Sequence, residues 1–158
     1  MRGKRLVAVL AALGVVALTL TGVAIGGLDS FTTGHARQHS VNGSGAQGRI
    51  DFLQTPSGVV VTGTSTGLQP SLGRYVTLVY DPGSVPGGPT VCEPTMPMNG
   101  MFVGIWRVDA SGDGTLIQLA HDVAPLGTFD TVSIRDTTIN GGFGPQAVVA
   151  CGEVALNP

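Results

Sequence analysis

From Gly48 onward, short runs rich in β-branched residues recur between turn residues, a spacing that predicts the strands of an antiparallel sandwich or barrel. Seven strands are expected, near residues 49–54, 59–64, 74–81, 101–108, 115–119, 130–135 and 147–156. Thr55-Pro56-Ser57-Gly58 and Asp109-Ala110-Ser111-Gly112-Asp113-Gly114 read as hairpin turns. In the sixth run, Val132 and Ile134 alternate with Thr131, Ser133 and Arg135, so the first pair should face a core and the second set solvent. Between residues 75 and 80 both faces are apolar, with Val76, Leu78 and Tyr80 opposite Tyr75, Thr77 and Val79. That strand should be covered on both sides. The Pro-rich stretch 82–97 is the expected outer cover.

Ahead of this pattern, Arg2, Lys4 and Arg5 precede an uncharged apolar run over residues 6–28, which predicts a hydrophobic helix and export. A secretory core is usually ~7–15 residues long and a spanning helix ~20. The run is nearer the second length, but its Thr and Gly residues weaken it as a span, and small residues at Ala24 and Gly26 suit cleavage. Residues 1–28 therefore read as a signal peptide or an N-terminal membrane anchor, with the remainder of the chain facing outward. Residues 29–46 are rich in polar and small residues and show no sustained period, so they read as a flexible polar linker to a domain at 47–158. Asn42-Gly43-Ser44 is a formal glycosylation sequon.

At 158 residues the chain has room for one domain, and its 25 Gly and 10 Pro suit turn-rich β-structure. Without the three basic residues of the leader the net charge falls from −2 to −5, leaving five Arg and no Lys. No basic cluster remains, which argues against nucleic acid as a partner and leaves a cell-envelope or extracellular protein, or the membrane through an uncleaved leader. Two cysteines in an exported chain favour a Cys92–Cys151 disulfide. Closing so long a loop would contribute about 4 kcal/mol on the chain-entropy account.

Gly73-Arg74-Tyr75-Val76-Thr77-Leu78-Val79-Tyr80-Asp81-Pro82-Gly83 resembles the metal-binding strand of copper/zinc superoxide dismutases, Gly-x-His-Gly-Phe-His-Val-His, with every histidine replaced. Val149-Ala150-Cys151-Gly152-Glu153-Val154 resembles that family's ending, Leu-Ala-Cys-Gly-Val-Ile. Val61-Thr62-Gly63, Gly67-Leu68, Gly73, Gly104 and Asp113-Gly114 match in order, so the resemblance spans residues 48–156. It implies an all-β fold, a superoxide dismutase-like Greek-key barrel or sandwich of seven to eight antiparallel strands behind the N-terminal hydrophobic helix. It also implies that the Cys of the last strand bonds one in the loop after the metal strand, where Cys92 stands. On this alignment Leu78, Tyr80 and Arg135 occupy copper-histidine positions, and Val148 that of the substrate-guiding Arg. The loop at 81–100 has no counterpart of the zinc ligands. Leu offers no metal donor and Arg only a cation, so neither bound metal nor dismutation is expected at this face.

Other constellations have plainer readings. Met96, Met98 and Met101 lie within six residues, and soft thioethers at that spacing can hold copper(I), but flexible Met side chains also fill gaps beneath loops. Gly63-Thr64-Ser65-Thr66-Gly67 matches Gly-x-Ser-x-Gly, yet Leu68-Gln69-Pro70 forbids the helix a nucleophile elbow needs, and a turn is expected instead. His121-Asp122 reads as a solvated pair. Asp109, Ser111 and Asp113 imitate a calcium loop whose twelfth position is Ala120, which cannot ligate. His35 and His39 have ligand spacing only on a helix, and the linker composition argues against one.

The expected function is thus an exported or membrane-tethered, non-catalytic domain serving as a structural or interaction module. Copper(I) binding by the Met-rich loop is the alternative, and superoxide dismutation ranks third. The geometric expectation is that Leu78, Tyr80 and Arg135 share one face under the Pro-rich loop. Arg135 would lie against the Tyr80 ring or pair with Asp81 or Asp136.

Overall fold

The computed structural model of the protein describes residues 31–81 and 100–158. They form eight strands: β1 (Thr33–Ser40), β2 (Gln47–Thr55), β3 (Gly58–Thr66), β4 (Ser71–Tyr80), β5 (Met101–Val108), β6 (Gly114–Ala120), β7 (Thr131–Asp136) and β8 (Val148–Asn157). These close into an antiparallel barrel in the order β1-β2-β3-β6-β5-β4-β7-β8. All seven expected strands are present, with ends displaced by at most three residues. The leader, the Pro-rich cover, Cys92, Met96 and Met98 lie outside the described residues. Among the described residues no helix is long and apolar enough to cross a membrane.

The expected linker is corrected. Its centre is β1, which pairs with β2 from Thr33↔Leu53 to Gln38↔Gly48 and with β8 from Thr33↔Asn157 to Ser40↔Ala150. Its pattern hides the strand because the inward positions are Gly34, Ala36 and Gln38, a small and partly polar set, while His35, Arg37 and His39 point outward. Ladders on both of its edges hold it, and composition carries no trace of them. The turn after β1 uses Asn42 at φ 55° with Gly43 and Gly45 also left-handed. The Asn42 amide donates to the carbonyls of Pro145 and Val148, at 2.9 and 3.0 Å. The Ser44 hydroxyl donates to the carbonyl of Val149. The sequon residues thus tie the β1–β2 turn to the start of β8.

Inside the barrel, Trp106 is fully buried and its indole N–H donates to the Thr77 hydroxyl at 2.6 Å. Gly63 makes room for it, since a Cβ there would stand 2.9 Å from the indole. Phe52 and Phe129 meet edge to face at 5.5 Å, among Ile50, Val61, Val79, Val103 and Leu116. As expected, the end of β4 is buried on both faces: Tyr75, Thr77 and Val79 face this core, and Leu78 and Tyr80 join an outer cluster.

Two further expectations are corrected. All six residues of β7 are buried, including Thr131, Ser133 and Arg135 on the face expected to meet solvent. The Gly-x-Ser-x-Gly segment belongs largely to β3 instead of a turn. Ser65 is buried there, its hydroxyl donating to the Gln47 carbonyl at 2.9 Å.

Because β1 closes the barrel between β2 and β8, a chain beginning at Gln47 should lose the cooperative urea transition that a chain beginning at residue 29 retains. Trp106 fluorescence reads both, and equal midpoints would contradict this role of β1.

Candidate functional site

β4 and β7 pair in a register that sets Val76 beside Arg135, Leu78 beside Ser133 and Tyr80 beside Thr131. Strand alternation then puts Leu78, Tyr80, Ser133 and Arg135 on one outer face. This is the shared face expected of Leu78, Tyr80 and Arg135. It is closed: Arg135 has no exposed surface, and Leu78 and Tyr80 are 9% and 7% exposed. The Arg135 Nε donates to the Tyr80 hydroxyl at 2.7 Å, and Nη1 donates to the carbonyls of Gly142 and Gly144 at 2.9 and 3.0 Å. The guanidinium carbon stands 5.8 Å from the Tyr80 ring centre. Tyr80 and Ser133 share a further hydroxyl–hydroxyl hydrogen bond at 2.9 Å.

The loop that supplies the carbonyls explains why the sequence reads Asn140-Gly141-Gly142-Phe143-Gly144. Asn140 and all three of these glycines have positive φ, between 49° and 87°, which turns the two carbonyls toward Arg135. Around the polar group, Val41, Leu78, Tyr80, Val148 and Cys151 pack as a second apolar cluster. Gly100 crosses the Tyr80 ring, where a Cβ would stand 2.6 Å from Cε1. Cys151 is fully buried and disulfide-bonded. Cys92, its expected partner, lies outside the described residues.

Asp136, considered as a partner for Arg135, is taken instead by Arg74, with Nε 3.0 Å from both carboxylate oxygens and Nη2 at 2.5 Å. The Thr138 amide and hydroxyl also donate to it, at 2.9 and 2.6 Å. Burial opposes ionisation of Asp136, but the hydrogen bonds from Arg74 and Thr138 outweigh it and hold the carboxyl below its usual range. Sequence reading missed this pair, and also missed Ser133 and the Gly142 and Gly144 carbonyls as partners in the cluster around Arg135. The run of glycines before β8 was the one available signal.

The remaining candidates are dispersed. His35 and His39 lie four residues apart along β1, about 13 Å at strand rise, too far for one ion. The His35 ring is hydrogen-bonded to Asn157. The His121 ring bonds the Ser57 carbonyl at 2.9 Å. One Asp109 carboxylate oxygen accepts the amides of Ser111 and Asp113, which makes a turn of the calcium-like residues. Met101 packs against the core, with its sulfur 3.4 Å from the Ala124 amide. Among the described residues no group of three or more His, Cys, Asp or Glu could hold a metal ion. No protein-family model matches the chain, and no curated protein does.

Replacing Arg135 by Ala would strand the Gly142 and Gly144 carbonyls, so a loss of roughly 3–5 kcal/mol is expected in chemical unfolding. Lys should not restore it, because a single ammonium lacks the fork that reaches three separated oxygens. A loss within about 0.5 kcal/mol would show that the cluster contributes little.

A second expectation concerns acid. A carboxyl held low when folded stabilises above its unfolded pKa, and that part is lost as pH falls through the folded value. Stability should therefore decline below about pH 4. Asp136→Asn should flatten that part of the profile, as read by urea midpoints against pH.

Proposed function

We propose that the chain is an exported or membrane-tethered, non-catalytic relative of the copper/zinc superoxide dismutases, in which the metal face has become a packing face. It works as a structural or interaction module. The observation carrying this reading is the fully buried Arg135, hydrogen-bonded to Tyr80, at two positions that the sequence resemblance assigns to copper ligands. Copper redox chemistry needs imidazole-type donors and an open coordination position. Here a guanidinium, a phenol and aliphatic side chains fill the space.

The strand order supports the kinship. β4, β5 and β6 are successive neighbours, and β7 returns to lie beside β4, as a Greek key requires. The disulfide-bonded Cys151 on this face agrees with the family pattern, with Cys92 as its partner in this reading. Residues 1–28, as signal or anchor, place the barrel outside the cytoplasm. The copper(I) alternative is weakened because Met101, one of its three thioethers, is packed against the core.

The full chain, purified and analysed for copper and zinc, should carry neither stoichiometrically. It should retain no copper(I) against a competing chelator and should not accelerate superoxide decay. A stoichiometric copper(I) lost in a Met96→Leu, Met98→Leu double variant would replace this reading with metal handling. Dismutation at that face would refute it outright.

A further inference from the structure

An asparagine followed by glycine is chemically labile, because no Cβ keeps the glycine nitrogen away from the asparagine Cγ. The chain has three such pairs, at 42–43, 99–100 and 140–141, and Asn99 lies outside the described residues. The other two share one local backbone. Asn42 and Asn140 have φ 55° and 49°, and the glycine after each has φ 69°. Both asparagines are exposed, and neither glycine N–H is hydrogen-bonded among the described residues.

Their side chains differ. The Asn42 Nδ2 donates to the carbonyls of Pro145 and Val148, at 2.9 and 3.0 Å. A carbonyl cannot donate, so both must face the NH2 group, and the Asn42 amide is fixed in one orientation. The Asn140 side chain makes no hydrogen bond among the described residues and stands in solvent.

We propose that Asn140 is a site of spontaneous deamidation and isomerisation, with water as co-reactant, and that its two carbonyl partners protect Asn42. The Gly141 N–H gives its proton to solvent base, and the nitrogen bonds to the Asn140 Cγ. The Cγ–Nδ2 bond breaks and ammonia leaves with a solvent proton, closing a succinimide ring. Water then adds to either ring carbonyl, and opening leaves aspartate or isoaspartate. Asn42 must break two hydrogen bonds before its Cγ can turn toward Gly43, which corresponds to a factor of roughly 30 in rate.

The isoaspartate product alters the loop that holds Arg135. Its main chain runs through the former side chain and gains a methylene, and a carboxylate replaces the main-chain carbonyl. In the unmodified chain that carbonyl accepts the Phe143 N–H at 3.1 Å. Just beyond it, the Gly142 and Gly144 carbonyls receive Arg135 Nη1. A longer backbone at residue 140 draws Gly142 out of place, so the reaction is a slow, one-way loosening of the Arg135 cluster.

The test incubates the full chain in detergent, in mildly alkaline buffer made with heavy-oxygen water, and maps its peptides by mass spectrometry. The Asn140 peptide should take up label and yield both aspartate and isoaspartate, roughly 30-fold faster than the Asn42 peptide. In urea above the unfolding transition the two should react at one rate. The fraction with isoaspartate at residue 140 alone, separated by ion exchange, should unfold at lower urea by Trp106 fluorescence, whereas Asn140→Asp should keep the wild-type midpoint. Native rates within about threefold of each other would overturn the proposal. So would the native ratio persisting in urea, aspartate without isoaspartate at residue 140, or an unchanged midpoint for the isoaspartate fraction.

Discussion

A guanidinium with no exposed surface is the constraint around which this molecule's outer face is arranged. An unpaired buried charge is far too costly to persist, and Arg cannot shed its proton to escape. Acceptors must therefore be brought to it. Tyr80 comes from the neighbouring strand, and Gly142 and Gly144 come from the loop ahead of β8. That loop can turn its carbonyls inward only through left-handed residues, which accounts for its glycines. Its far end is in turn held by Asn42, whose amide reaches Pro145 and Val148. Arg135 is thereby linked, one hydrogen bond after another, to the β1–β2 turn and to closure of the barrel.

β4 joins this outer arrangement to the inner one. Its inward residues include Thr77, which accepts the Trp106 indole proton, while its outward residues Leu78 and Tyr80 floor the Arg135 cluster. A one-residue slip would exchange these sets, placing Tyr80 in the barrel and Tyr75 beside Arg135. Register is thus fixed from both sides. Arg74 adds a third restraint by pairing with Asp136 on β7. The face that the resemblance aligns with a metal site is therefore a buried and hydrogen-bonded surface in this chain.

Much of this arrangement is legible in the residues themselves. Seven strands follow from β-branched runs between turns, and the shared face of Leu78, Tyr80 and Arg135 follows from the family resemblance. The parts that escape are held by hydrogen bonds rather than by apolar periodicity. β1 presents Gly34, Ala36 and Gln38 to the interior, so its pattern of residues resembles a linker although two ladders fix it. β7 reads as half-exposed because Thr131, Ser133 and Arg135 are polar, yet Ser133 and Arg135 share a partner, Tyr80, that is distant in sequence. The Ser133 and Arg135 bonds to Tyr80 span 53 and 55 residues. Contacts of that separation leave no local signature. The glycines at 141, 142 and 144 do hint at an unusual backbone, but not at what the carbonyls meet.

Replacing buried charges and their partners together by hydrophobic groups of similar volume is often neutral or stabilising, but the Gly142 and Gly144 carbonyls are backbone and would stay, unpaired, beside an apolar side chain at position 135. Arg therefore both satisfies these acceptors and fixes their position. An apolar residue accepts any well-packed neighbour, whereas a guanidinium demands oxygens at fixed distances and directions. Those demands hold the Gly142 and Gly144 carbonyls in one arrangement, and with them the approach to Val148. Val148 opens β8, and three residues later the same strand carries the buried, disulfide-bonded Cys151. In the family that the chain resembles, the aligned face is fixed by a metal ion and its ligands. Here a cation supplied by the chain itself holds the loop through the Gly142 and Gly144 carbonyls.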